Sequence, residues 1–411
     1  MNSGNIPSVS FKMYSQEDAL VLASTMLLVL LLRRGKRRRL WMRPFFKAKD
    51  RLSYPNDILN SGFLDAFRMS NSDIENLLNM VAPLIAKLDT NYRQSISPKN
   101  RLLITLRFLA SGDSYQSLVL TFKISQQSIS CIIPEVCNAL ICSLRDYIKI
   151  PNTEEGWLNI AKDFDLLWNF PHCLGAIDGK HIIMRAPTNS GSTYFNYKGV
   201  HSIVLMAVVD ANYNFMYCDI GCQGRISDGG VFGNTILNSM NLRGIPKESE
   251  LPGRSCLTPY VFIGDNAFPL SENLMKPFLE LGRKGSKVRI FNYRLSRARR
   301  MVESTFGILS AVFRCLRRPF HLQPKNVENI VLATTYLHNY LRRNCESYRS
   351  LQLRYSSNIN QSADSEITQP PEIQSSVLFY SIPTPAELVR EEFAEYFCSN
   401  DGMIAWQYKY C

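Results

Sequence analysis

The chain has 411 residues, 45% of them hydrophobic, a formal net charge of +12 and a pI of about 9.2. This length suffices for two or three compact units, and the apolar content excludes a chain that is disordered throughout. The basic balance favours a polyanionic partner, with nucleic acid the leading candidate, although charge alone does not establish DNA binding.

The cysteine pattern predicts reduced thiols in a cytosolic or nuclear protein. The eleven cysteines are odd in number and scattered, and none forms a CxxC pair. The nearest two, Cys218 and Cys222, have no partner pair at zinc-site spacing, and the chain has only five histidines. We therefore expect no structural zinc module.

The N-terminal region, residues 1–60, contains an apolar run from Ala19 to Leu32. The run is shorter than the roughly 20 residues of a membrane-spanning helix. The basic cluster at 33–39 follows it, whereas a signal peptide carries its charge before the apolar run. We expect a buried or partner-binding helix, capped by Ser15 and Asp18, and then a nuclear localisation or phosphate-contacting patch. A solvated helix end and a membrane anchor are the alternatives.

The next region, residues 61–150, has the spacing of a helix-turn-helix. Ser97-Pro98 precedes a predicted helix over Lys99–Ala110, and further helices are predicted over Tyr115–Phe122 and Gln126–Ile133. Polar residues on the outward face of the third helix could contact base edges: Gln126, Gln127 and Ser130. An ordinary helical bundle is the alternative.

Residues 165–342 alternate predicted strands and helices, which indicates an α/β domain. Three antiparallel strands come first, and a helix at Asp228, a strand and a long helix follow. The predicted strands are Leu174–Ile177, His201–Asp210, Phe215–Gly221 and Tyr260–Ile263, and the long helix is Leu295–Leu309.

Three carboxylates are candidate metal ligands. Asp178 and Asp265 each come after a predicted strand, and Glu303 lies on the long helix. Hard oxygen ligands from separate elements suit two-metal phosphodiester chemistry with Mg²⁺ or Mn²⁺. Each has a structural alternative: a turn at Asp178-Gly179, a helix cap at Asp265, and an ion pair of Glu303 with Arg299. Asp228 is either a fourth carboxylate that supports the metal ligands from behind or a cap of the helix that it begins.

Four sequence blocks around these carboxylates resemble the PIF/Harbinger transposases and the nucleases derived from them. Asn266 and Phe268 depart from the serine and tyrosine that are common in the second block. The match covers nearly the whole chain except a linker at 346–380. The blocks are Gly175–Ile182, Gly264–Leu270, Asn292–Glu303 and Gly224–Phe232.

This resemblance implies an α/β, RNase H-like mixed-sheet core preceded by the all-α helix-turn-helix segment. It implies a metal-dependent DNA endonuclease or transposase with Asp178, Asp265 and Glu303 as the DDE triad and Mg²⁺ or Mn²⁺ as cofactor. Its expected partners are double-stranded DNA, a Myb-like accessory protein and, because transposition joins two ends, a second copy of the chain. Nuclear localisation with a cytoplasmic pool is expected, and no membrane association.

A basic run beside the triad predicts a DNA-binding surface. Such contacts supply affinity without sequence information and weaken with salt, whereas a solvated helix face is the alternative. The residues are Arg283, Lys284, Lys287, Arg289, Arg294, Arg297, Arg299 and Arg300.

The C-terminal part divides into a polar linker at 346–380, expected to be disordered, and a helix and tail at 381–411. Thr384 and Pro385 are expected to start this helix, with Leu388, Phe393 and Phe397 on its apolar face. Two other functions fit the chain: a non-catalytic, host-adopted DNA-binding protein, and an RNase H-like enzyme acting on RNA.

Overall fold

The computed structural model describes residues 20–21, 23–27, 66–91, 94–233, 235, 242–280, 282–346, 348–349 and 383–411. The chain divides into two units, residues 1–51 and 52–411. The described residues of the first unit are helical, and their apolar side chains are exposed. The basic patch at 33–39, the Ser15–Asp18 cap and most of the linker lie outside the described residues. Within the described part of the chain, no helix combines the length and apolarity needed to cross a membrane.

After two helical residues at 66–67, the described part of the second unit continues with the helices α1 (Asn71–Ile85), α2 (Pro98–Ser111), α3 (Tyr115–Phe122), α4 (Gln126–Ser143) and α5 (Glu154–Trp168). The predicted starts of α2, α3 and α4 are confirmed, because Ser97, Ser114 and Ser125 each accept a hydrogen bond from a first-turn amide. The predicted end of α4 at Ile133 is wrong, since the helix continues through Pro134. Buried apolar side chains on both sides of the proline stabilise the longer helix.

The described strands are β1 (Cys173–Ile183), β2 (Ser202–Val209), β3 (Phe215–Gln223), β4 (Ser249–Glu250), β5 (Leu257–Thr258), β6 (Val261–Ile263) and β7 (Leu274–Met275). Five of them form a mixed sheet in the order β3-β2-β1-β6-β7. The predicted antiparallel arrangement of the first three strands is confirmed, and β6 and β7 run parallel to β1. The short β4 and β5 pair separately.

Helices cover both faces of this sheet and hold it to the helical region. The short α6 (Asp228–Gly233) follows β3, and α7 (Lys287–Val312) and α8 (Pro324–Asn344) follow the last strand. The buried Asn339 of α8 accepts a hydrogen bond from the Phe215 amide at 2.9 Å and donates one to the Tyr147 carbonyl at 2.8 Å. This side chain therefore links the start of β3 to the helical region.

The C-terminal segment, α9 (Pro385–Tyr396) and α10 (Gln407–Tyr410), packs against α7. The predicted start of α9 is confirmed by a capping box between Thr384 and Glu387. Phe393 and Phe397 are fully buried as predicted, whereas Leu388 is 55% exposed and does not belong to the apolar face. The eleven cysteines are all free thiols, as predicted.

Arg294 of α7 is the polar centre of this C-terminal contact and is only 2% exposed. Its guanidinium donates to the carbonyls of Asn169 and Gly402 and to Gln407 Oε1, and it stacks on the Phe397 ring at 4.3 Å. The sequence places Arg294 on the DNA-binding surface, and that assignment is wrong because protein atoms enclose the charge.

Replacing Arg294 with methionine should lower the free energy of unfolding by about 3 kcal/mol or more, because it leaves three oxygen acceptors without their donor. Urea unfolding measures the change. The exposed Arg283→Met is the matched control and should alter stability little. Equal effects of the two substitutions would contradict the structural role of Arg294.

Candidate metal centre

A gap in the sheet beside β1 forms the centre of the site. The pairing of β6 with β1 ends at Ala176 and Ile263, while β1 continues to Ile183. On this edge of β1, the next backbone pairing is with Phe320, whose amide donates to the Ile183 carbonyl at 3.0 Å. Asp178 lies inside strand β1, next to this gap. The prediction of a strand ending before Asp178, and the alternative of a hairpin turn there, are therefore both wrong.

Asp265 lies beside Asp178 because it comes two residues after the end of β6, the parallel neighbour of β1. Its Oδ1 accepts a hydrogen bond from the Ala267 amide at 2.9 Å, which fixes the turn after β6. Phe268 is buried in the same turn and packs edge-to-face on Phe232 of α6, with ring centroids 5.6 Å apart. The departure from the family pattern at Phe268 therefore serves the apolar core, while Asn266 is exposed.

Asp228, at the start of α6, is the third carboxylate of the cluster. Asp178, Asp228 and Asp265 each offer an oxygen, and these three oxygens lie within 4.8 Å of one another. Ser227 supplies the helix cap, since its Oγ accepts from the Gly230 amide at 3.3 Å. Asp228 Oδ1 is buried and has no hydrogen-bond partner among the described residues. The capping alternative for Asp228 therefore does not explain its position.

Gly179 makes this approach of Asp228 to β1 sterically possible. A Cβ atom on Gly179 would lie 2.2 Å from Asp228 Oδ1, far inside van der Waals contact. A similar close approach occurs at Gly229, where a Cβ would lie 2.2 Å from the Ala267 carbonyl oxygen. Two glycines thus allow α6 to contact both β1 and the Asp265 turn.

Glu303 occupies a different position from the predicted triad member. Among the described residues it does not join the three clustered aspartates, and its carboxylate pairs with Arg299 one turn earlier on α7. Arg299 also lies 3.6 Å from Asp178 Oδ2, so it bridges the two carboxylates. The ion-pair alternative for Glu303 is therefore realised, and Glu303 still lies close enough for its charge to raise the pKa of Asp178.

The cluster has a deficit of positive charge. Burial raises the pKa of Asp178 to about 7, with further increases from Asp265 and Glu303, although Arg299 and the Gly179 amide oppose them. Burial, and then the charge of Asp265, raises the pKa of Asp228 to about 6, opposed by Lys198. Converging carboxylates in a partly buried site are stabilised when a cation is present.

The donor set fits a hard divalent cation. All three candidate ligands are carboxylates, and oxygen donors are what Mg²⁺ and Mn²⁺ prefer. The unpartnered Asp228 Oδ1 and the space left by Gly179 both lie at this cluster. Asp178, Asp228 and Asp265 are therefore the residues that would hold a metal ion.

The predicted DNA-binding residues divide into three groups. Three of them contact other parts of the protein. Arg294 donates to the Gly402 carbonyl, and Lys287 Nζ lies 2.6 Å from Glu391 Oε2, both in the C-terminal segment. Arg297 donates to Oδ1 of Asn169, the residue after α5. Arg299 belongs to the carboxylate site. Exposed or half-exposed positions remain at Arg283, Lys284, Arg289 and Arg300.

Two functional features are less evident from the sequence. Asp228 belongs to the cluster itself, and the only local signal is the Ser227-Asp228-Gly229-Gly230 block. Lys180, half-buried on β1, lies near Asp178, whose charge raises the Lys180 pKa against the larger effect of burial, which lowers it. An ammonium group in this place can bind an oxygen of a phosphodiester.

Gly179→Ala should weaken Mn²⁺ binding about 10- to 100-fold, because the added methyl group displaces Asp228. Isothermal titration calorimetry measures the affinity. Gly233→Ala in the same short helix is the control, since a Cβ there meets no described atom within 4 Å. Unchanged Mn²⁺ affinity in a folded Gly179→Ala protein would remove Asp228 from the ligand set.

A family model described as DDE superfamily endonuclease matches residues 177–339. This span contains Asp178, Asp228, Asp265 and Glu303. No solved structure matches the chain.

Curated proteins from animals and a plant are similar over most of the chain. "Putative nuclease HARBI1" of Rattus norvegicus is 27% identical over 346 residues, which cover 80% of this chain and 92% of that protein. The Homo sapiens protein of the same name is 28% identical over 292 residues, or 67% of this chain and 80% of that protein. "Protein ALP1-like" of Arabidopsis thaliana is 25% identical over 290 residues, or 68% and 70%.

Proposed function

We propose that this chain, as a member of the Harbinger transposase-derived family of DDE nucleases, is a divalent-metal-dependent DNA endonuclease. The observation that carries the proposal is the convergence of Asp178, Asp228 and Asp265 within 4.8 Å beside a gap in the sheet. The strand order β3-β2-β1-β6-β7, with only β2 antiparallel to its neighbours, supports an RNase H-like class for this core.

In the proposed mechanism, the three aspartates hold the metal and Glu303 completes the DDE set. Bound Mg²⁺ or Mn²⁺ supplies an activated water nucleophile and neutralises charge on the scissile phosphate. Glu303 joins the site when Arg299 releases it, since this arginine pairs with both Asp178 and Glu303. The freed guanidinium and the Lys180 ammonium then bind non-bridging phosphate oxygens and position the phosphodiester beside the aspartates. A two-metal arrangement is part of this proposal.

The helical region is proposed to bind DNA as a helix-turn-helix. Supporting this role, α3 and α4 are joined by Lys123 to Ser125 only, and the outward positions of α4 are exposed. The exposed residues are Gln126, Gln127 and Ser130. A Myb-like partner, a homodimer and nuclear localisation stay predictions of the family resemblance.

A non-catalytic DNA-binding protein is the second candidate. The Arg299–Glu303 pair favours it, because it engages the third expected ligand in an interaction inside the protein. The two candidates differ in one measurable property, namely whether metal leads to DNA cleavage.

Asp265→Asn should reduce cleavage of duplex DNA to the background level, since asparagine keeps the shape but loses the charge that holds a cation. Cleavage is measured with Mg²⁺, with Mn²⁺ and with chelator. Asp146→Asn, at an exposed surface aspartate paired with Lys149, is the control and should retain activity. If the native chain binds DNA but never cleaves it, with or without a Myb-like partner, the second candidate replaces the first. Preferential cleavage of RNA would indicate the RNase H-like alternative.

The exposed basic residues Arg283 and Lys284 should contribute salt-dependent affinity. Replacing both with alanine should reduce the slope of log K against log salt concentration by about 2, because each phosphate that a side chain neutralises adds roughly 0.9 to the slope. Fluorescence anisotropy across a salt series measures the slope. The neighbouring, exposed Glu280→Gln serves as the control on the same surface. An unchanged slope in the double variant would place the DNA elsewhere on the protein.

A further inference from the structure

The loop between β1 and β2, residues 185–201, presents aromatic rings to solvent beside the carboxylate cluster. Tyr197 is 80% exposed and Phe195 is 45% exposed. The fold leaves the Tyr197 ring largely uncovered and the Phe195 ring partly uncovered. The loop carries basic residues, Arg185 and Lys198, and its sequence contains no acidic residue.

The loop is held in place by the side chain that separates the two rings. Asn196 is 4% exposed, and its Nδ2 donates to Ser202 Oγ at 2.9 Å. Its Oδ1 accepts from the amides of Lys198 at 2.9 Å and Val200 at 3.2 Å. This anchoring fixes the backbone on both sides of Tyr197, so the exposed ring is displayed by a well-bonded turn.

Successive contacts connect Tyr197 to the candidate metal centre. The ring of Tyr197 meets the ring of His181 edge-to-face, with centroids 5.6 Å apart, and His181 Nδ1 hydrogen-bonds Ser202 Oγ at 2.9 Å. Along β1, His181 points to the same face of the strand as Gly179, and Gly179 is the residue that Asp228 contacts. Tyr197 therefore lies on the Asp228 side of the cluster.

Lys198 places a positive charge on the same side. Its Nζ lies 5.2 Å from the centre of the Tyr197 ring. Its charge also acts on Asp228, His181 and Lys180, so it is close to the groups around the cluster. An exposed ring together with an ammonium group suits a nucleotide, because the ring stacks on the base and the ammonium pairs with the phosphate.

We propose that Tyr197 is a stacking platform for an unpaired DNA base next to the scissile phosphate, with Lys198 binding the adjoining phosphate. The inference rests on the proposed nuclease function for its substrate, but it concerns binding rather than cleavage. In a fully paired duplex the base faces are covered by neighbouring bases. Only an unpaired or flipped base can therefore stack on the Tyr197 ring. The site thus recognises DNA that is locally opened at the cleavage position.

The test compares the affinities of the full chain for two DNAs in the presence of chelator: a paired duplex, and the same duplex with a short unpaired stretch. Tyr197→Ala should weaken binding to the DNA with unpaired bases about tenfold and leave binding to the paired duplex nearly unchanged. Tyr197→Phe keeps the ring and should bind as the native chain does. Lys198→Ala should weaken binding to both DNAs.

Tyr408→Ala is the matched control, since this tyrosine is also exposed, at 46%, but lies on α10. Equal affinities of native and Tyr197→Ala proteins for the unpaired DNA would overturn the proposal and assign the loop to another partner. The same holds if Tyr197→Phe is as weak as Tyr197→Ala. A protein that shows the tenfold effect but cleaves no DNA with metal would retain the stacking site and lose only the nuclease function.

Discussion

The difference in length between two neighbouring strands organises this molecule. β1 extends over eleven residues, whereas its parallel neighbour β6 has three. Beyond the end of β6, one edge of β1 has no neighbouring strand among the described residues until Phe320. An open edge inside a sheet exposes backbone groups that other chains could pair with. Here side chains from both faces converge on the opening, and the turn after β6 brings Asp265 to it.

The long helix α7 serves two structures at once. The part of its surface that includes Arg294 and Lys287 holds the C-terminal segment, while Arg299 and Glu303 face the carboxylate site. The basic residues of one helix therefore have separate roles, and a charge count along the sequence does not distinguish them. The acidic side chains of α9, such as Glu391, neutralise positive charge that a nucleic acid would otherwise meet.

Local features of the fold were predictable because their causes are local. The caps at Ser97, Ser125 and Thr384 depend on a hydroxyl and an amide a few residues apart. The continuation of β1 through Asp178-Gly179 was not, because pairing with β2 outweighs the turn preference of an Asp-Gly pair. The position of Asp228 depends on the missing Cβ of Gly179, a contact between distant parts of the chain. Which protein atoms enclose Arg294 depends likewise on tertiary packing.

The packing of the C-terminal segment against α7 has a genetic consequence. Phe393 and Phe397 complete an aromatic cluster with Phe170 and Phe291, and Gln407 supplies an acceptor to Arg294. A frameshift after codon 384 would leave every acidic residue of the site encoded, yet it would remove these contacts from the far side of α7. Such an allele would encode the whole carboxylate site and still lose packing that supports α7. Intact codons for the acidic residues are therefore a poor guide to whether a copy of this gene encodes a folded protein.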